Sequence, residues 1–86
     1  MNKYEQVPDE IIDLHYYTVR EAETVLNSLT QKRGKSHVRV IVGRGVHSKN
    51  GPVLREFVKK YLLAKNIRFN QSKISDGGEG SLEVFL

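Results

Sequence analysis

The run His37-Val38-Arg39-Val40-Ile41-Val42 passes without interruption into Gly43-Arg44-Gly45-Val46-His47-Ser48, and this junction decides the fold. Val38, Val40 and Val42 alternate with His37, Arg39 and Ile41, the two-residue period of a β-strand with distinct faces. Gly43 to Gly51 form a polar loop punctuated by glycine, and Pro52 suits the first position of a helix. Leu54, Phe57, Val58, Tyr61 and Leu62 then recur at helical spacing. A strand that feeds a helix in this way is half of an α/β unit.

The same unit is legible upstream. Ile11-Ile12-Asp13-Leu14-His15 reads as a short strand. Thr18-Val19-Arg20-Glu21 has the capping-box spacing that opens a helix, with Ala22, Val25, Leu26 and Leu29 on one stripe and Gly34 as its stop. Downstream, Ile67-Arg68-Phe69-Asn70-Gln71 and Ser81-Leu82-Glu83-Val84-Phe85-Leu86 flank Asp76-Gly77-Gly78-Glu79-Gly80 as a terminal hairpin. The predicted order is β-α-β-α-β-β, a two-layer α/β sandwich with two helices on a four-stranded mixed sheet. Its first two strands are parallel, joined by a right-handed crossover. Leu14, Val40 and Val84 face the helices in this reading, while Asp13, His15, Arg39 and Glu83 occupy an opposite face open to a ligand. Residues 1 to 10 are polar, contain Pro8 and read as a leader or linker end; residues 11 to 86 read as one domain.

Eighty-six residues support one core and not two. A composition of 38% apolar and 28% charged residues places the chain among folded domains rather than disordered ones. The absence of cysteine removes disulfides, thiolate metal sites and a thiol nucleophile, and fits a cytoplasmic protein. No stretch has the length or order of a membrane span or secretory signal. The net charge of +4 is unevenly spread. Residues 31 to 60 carry nine Lys or Arg against the single acid Glu56, whereas residues 1 to 30 carry six acids and two bases. Such a basic middle is either a solvated surface or a polyanion-binding one.

In open α/β sheets ligands gather beyond the carboxyl ends of parallel strands, which here means His15 and the loop from Gly43 to Ser48. Asp13 and His15 stand two apart on the predicted strand, so their side chains share a face with Cα atoms about 6–7 Å apart. A carboxylate beside an imidazole fixes its tautomer and tunes it for general acid–base work; alone, such a pair can equally be a strand end that satisfies itself. Gly43 and Gly45 permit close approach of a phosphate to the backbone, and Arg44 offers a planar fork matched to phosphate oxygens. Ser48 either adds a hydrogen bond to the phosphate or caps the helix, and His47 either holds the loop or touches substrate. Lys49, Arg55 and Lys59 extend a phosphate track or are ordinary surface. Tyr16 and Tyr17 either stack on exposed bases or pack at the strand–helix junction. His37 reads as a surface strand residue. Neither the Walker nor the dinucleotide glycine spacing is present.

Ile12-Asp13-Leu14-His15, Thr18-Val19-Arg20-Glu21-Ala22, Gly43-Arg44-Gly45-Val46-His47-Ser48 and Gly77-Gly78-Glu79-Gly80-Ser81-Leu82-Glu83-Val84, in this order over residues 11 to 86, resemble the Smr (small MutS-related) domain. The resemblance implies a β-α-β-α-β-β sandwich similar to the C-terminal domain of bacterial translation initiation factor three. It also implies cleavage or nicking of RNA or DNA, in several members on messenger RNA at stalled ribosomes. Asp13 and His15 match the family's catalytic D-L-H positions, and Gly43, Arg44, Gly45, His47 and Ser48 match its G-x-G-x-H-S loop. The chain departs from the family at Tyr16, where glycine is usual; the tyrosine narrows the approach or supplies a stacking surface.

The expected reaction is phosphodiester cleavage with Asp13, His15 and Arg44 catalytic. RNA is the preferred substrate, because its 2′-hydroxyl is an internal nucleophile and acid–base residues then suffice. No cofactor is required on this route and no metal site is expected. The alternative is Mg²⁺ held by Asp13, His15, substrate phosphates and water. Rival readings are a non-catalytic module for RNA, DNA or the ribosome, and a protein-interaction domain that uses the tyrosines and second helix.

Overall fold

The computed structural model describes residues 7–31, 36–45 and 53–86. The elements run β1 (Glu10–Asp13), α1 (Val19–Thr30), β2 (His37–Ile41), α2 (Val53–Ala64), β3 (Arg68–Gln71) and β4 (Ser81–Phe85), with 3-10 turns at Ile74–Asp76 and Gly78–Gly80. The sheet order is β1-β2-β4-β3. β1 is parallel to β2, and β4 is antiparallel to both of its neighbours. The predicted mixed sheet, parallel first pair and terminal hairpin are all present.

Local chemistry sets the helix ends. The Thr18 hydroxyl accepts from the Glu21 amide at 3.1 Å, and Glu21 Oε1 accepts from the Thr18 amide at 2.9 Å, so the capping box forms. α1 ends at Thr30, with Gln31 as its C-cap; Gly34, expected as the stop, and Pro52, expected to open α2, lie outside the described residues. α2 closes on Asn66, which takes φ 58°. Ile67 N–H donates to Leu62 O and Asn66 N–H to Leu63 O, the Schellman pattern that satisfies the last carbonyls.

Ala22, Leu26 and Leu29 of α1 and Val58 and Leu62 of α2 meet Val38, Val40, Leu82 and Val84 of the sheet and Leu14 in one buried core. Val25, Leu54, Phe57 and Tyr61 pack around it, partly buried. Full burial of each Leu or Val contributes about 1.5–3 kcal/mol.

The opposite sheet face departs from expectation. It carries Asp13, Arg39 and Glu83, as the alternation predicts, but it is not simply open. Glu83 is fully buried there, and it accepts from Arg39 Nε at 2.7 Å, from Ser72 Oγ and from His37 Nε2. His37 is therefore no free surface residue: its ring also stacks on Phe85 at 4.8 Å. A charge at the centre of a sheet is retained because every oxygen of it is paired.

Candidate active site

The site forms where β1 and β2 end. β1 stops at Asp13 because the chain turns: His15 N–H donates to Asp13 Oδ1 at 3.0 Å, while Leu14 N–H still reaches Ile41 O. His15 thus leaves the strand, and the expected pairing of two strand side chains is corrected to a side-chain-closed turn. The turn holds the two side chains in contact. His15 Nδ1 lies 2.5 Å from Asp13 Oδ1, and this hydrogen bond holds the Asp13 carboxyl below its usual range. A carboxylate only accepts, so the imidazole proton belongs on Nδ1 and Nε2 keeps its lone pair. Both side chains are solvent-exposed.

Gly43 continues from β2 against this turn. It takes φ +78°, and a Cβ placed on it would come within 3.2 Å of His15 Cβ. Gly45 also has positive φ, at 77°. Asp13, His15, Gly43, Arg44, Gly45 and Arg55 all line one cleft of about 820 Å³, together with Tyr16 and Tyr17. The sequence-predicted carboxylate, imidazole and guanidinium therefore share a single cavity. Arg44 is exposed and forms no ion pair among the described residues. Arg55 is part-buried, with Nη1 3.5 Å from Glu79 O and Nε 3.5 Å from Glu56. Lys59, one turn further along α2, is half-buried and outside the cleft lining. His47, Ser48 and Lys49 lie outside the described residues.

Tyr16 is 88% exposed, and its ring centroid lies 3.8 Å from that of His15 with the planes tilted by 43°. It neither enters the core nor staples the helix. Tyr17 N–H donates to Leu14 O at 2.9 Å, which closes the turn into α1.

Sequence reasoning missed a third wall. Gly80 O accepts from Val42 N–H at 2.8 Å and Gly43 N–H at 3.0 Å. A Cβ on Gly80 would meet Arg44 Cγ at 3.2 Å. Asp76, Gly77, Gly80 and Ser81 line the cleft as well. The glycine density of residues 77 to 80 was the available signal, since glycine clusters mark close backbone approach. Among the described residues no three His, Asp or Glu side chains cluster as a metal site, and no helix is long and apolar enough to cross a membrane.

The chain matches the Smr domain family model over residues 12–86. It is 34% identical to human NEDD4-binding protein 2 over 89 residues, covering 93% of this chain and 5% of that protein. It is 36% identical to an Smr domain-containing protein of Schizosaccharomyces pombe over 83 residues, covering 92% of this chain and 38% of that one. It thus spans well under half the length of these relatives. Among solved structures, the human small-MutS related domain aligns with a TM-score of 0.61 at 34% identity, covering 87% of this chain and 98% of the other. The SMR domain of NEDD4-binding protein 2 aligns with a TM-score of 0.60 at 32% identity, covering 95% and 90%. The sequence match over nearly the whole chain and the shared fold together make this chain a member of the Smr domain family, a module of the nucleic-acid-binding and endonuclease type.

Proposed function

We propose that this domain cleaves phosphodiester bonds in RNA by acid–base catalysis, in preference to DNA. The observation that carries the reading is the Asp13–His15 couple, at 2.5 Å, in the same cleft as the exposed Arg44. His15 Nε2 takes the proton of a 2′-hydroxyl, whose oxygen attacks the adjacent phosphorus, while Asp13 holds the resulting imidazolium. Arg44 stabilises the charge that builds on the phosphoryl oxygens. The 5′-oxygen leaves, takes a proton from the solvent of the open cleft, and the product carries a 5′-hydroxyl. Gly43 and Gly45 let the phosphate approach, and His47, Ser48, Lys49, Arg55 and Lys59 are proposed to continue the contact along the strand. The family resemblance extends the substrate to messenger RNA on a stalled ribosome.

Labelled RNA and matched DNA, incubated with and without chelator, test this directly. RNA cleavage with 5′-hydroxyl ends is expected, falling by at least about 10²-fold in His15→Ala and in Asp13→Asn. Full cleavage by both variants would overturn the assignment, equal cutting of DNA would remove the 2′-hydroxyl route, and loss with chelator would favour Mg²⁺ held at Asp13 and His15.

A second reading, a binding module that does not cut, is favoured by Tyr16, whose ring rests on the imidazole where the family usually has glycine. On the catalytic reading Tyr16 stacks on a base and Tyr16→Gly weakens RNA binding. On the binding-only reading the wild type binds without cleaving, and Tyr16→Gly opens the histidine.

A further inference from the structure

Two observations link the buried charge on the far sheet face to the wall of the cleft. Arg39 spends its two ends differently: Nε donates to the buried Glu83 at 2.7 Å, and Nη2 lies 3.4 Å from Asp76 Oδ2. Glu83 is itself fixed from three sides, by Ser72, His37 and Arg39, so the guanidinium is an anchored fork rather than a swinging side chain. Asp76 belongs to the first 3-10 turn, and the segment behind it folds on itself: Gly78 N–H bonds Lys73 O at 2.9 Å and Gly80 N–H bonds Gly77 O at 3.0 Å. That segment ends at Gly80 O, which receives the amides of Val42 and Gly43, directly before Arg44.

We propose that Asp76, clamped by Arg39 and through it by Glu83, is a positioning residue that sets Gly43 and Arg44 against His15. The inference rests on reading the cleft as the functional site. Its physical basis is contiguity. The segment from residue 72 to residue 80 contributes no extended ladder of its own, so the hydrogen bonds at Gly80 need a second fixed point. The Arg39–Asp76 pair is half-buried, with side-chain exposures of 12% and 28%, and is screened less than a surface pair. The glycines between Asp76 and Ser81 make the segment compact: a Cβ on Gly77 would come within 2.7 Å of Ser81 Cβ. A displacement at Asp76 is therefore passed to Gly80 rather than absorbed.

The test uses the whole chain and the variants Asp76→Asn, Asp76→Glu and Arg39→Lys, each of which leaves Glu83 with a cationic or hydrogen-bonding partner. Amide hydrogen exchange is read residue by residue. Exchange at Val42 and Gly43 is expected to rise about tenfold in Asp76→Asn and Arg39→Lys, the scale of one lost charge-assisted hydrogen bond, while Leu26 and Leu62 amides keep their protection. Asp76→Glu restores part of the protection. The double variant is no worse than either single one, because both residues act through one contact. In RNA cleavage the single variants lower kcat with little change in KM. Unchanged exchange at Val42 and Gly43 in both single variants overturns the proposal. So does a cleavage defect in Asp76→Asn that Arg39→Lys does not share, which would place Asp76 in direct contact with substrate. If the wild type cuts no RNA, the exchange result still decides the positioning role, while the nuclease reading falls by itself.

Discussion

Gly43 carries two constraints at one position: φ of +78° and a neighbour, His15 Cβ, at 3.2 Å from where its own Cβ would stand. Gly43→Ala is expected to cost about 1–2 kcal/mol in urea denaturation, through backbone strain. It should also reduce cleavage further than that loss explains, since it pushes His15 away from Asp13. Glu83 governs the acid limb of stability. Burial would raise its carboxyl, but hydrogen bonds from Ser72, Arg39 and His37 outweigh this and leave it below its ordinary value of 4.5. A folded value below the unfolded one stabilises the protein above the unfolded value, and that share is lost as pH falls through the folded value. The urea midpoint should therefore decline as pH drops below 4.5, and Glu83→Gln should flatten that decline. At neutral pH the same variant costs about 1.5–3 kcal/mol, because the hydrogen bonds that Arg39, Ser72 and His37 make to a carboxylate are made to a neutral amide instead, while Arg39 keeps its pair with Asp76. Asp13, His15 and Arg44 were legible because spacing and strand ends announce them. Glu83 was not, since an acid at an alternate position of a last strand looks like solvent-facing polarity until its neighbours are placed.

The two helices and the Thr18 cap are legible in the sequence because periodicity and caps are local properties, although α1 ends at Thr30, ahead of the expected stop at Gly34. Thr18→Ala removes the hydroxyl half of the capping box and is expected to cost about 1 kcal/mol, a fall of about 4–8 °C in Tm for a domain of this size, measured by thermal unfolding. Strand ends were harder to read. The predicted first strand runs to His15, yet β1 ends at Asp13, because the Asp13 carboxylate captures the His15 amide. In the second strand, Val42 gives its amide to Gly80 and not to a strand neighbour. Such ends are fixed by partners distant in sequence, and the 3-10 turns between β3 and β4 likewise depend on what they dock against.

At the scale of the molecule, the basic middle proves only partly available to a polyanion. Arg39 is consumed by Glu83 and Asp76, and Arg55 leans on Glu56 and the Glu79 carbonyl. Arg44 remains exposed in the cleft. RNA affinity should fall with salt, and Arg44→Ala should reduce the slope of log K against log salt by about one phosphate contact. A slope unchanged by Arg44→Ala would remove that residue from the interface. Summed charge could not separate the internal guanidinium from the external one, because both lie in the same basic run of sequence.

The strand order β1-β2-β4-β3 seats β4 in the interior of the sheet, although it is the last of the described elements in the chain. While the protein is being translated, β2 and β3 have no common neighbour, and Gly80 has not yet arrived to receive the amides ahead of Arg44. A nascent chain lacking residues 80 to 85 lacks the wall of the cleft that Gly80 and Ser81 supply, so the cleft is complete only after synthesis has passed this point.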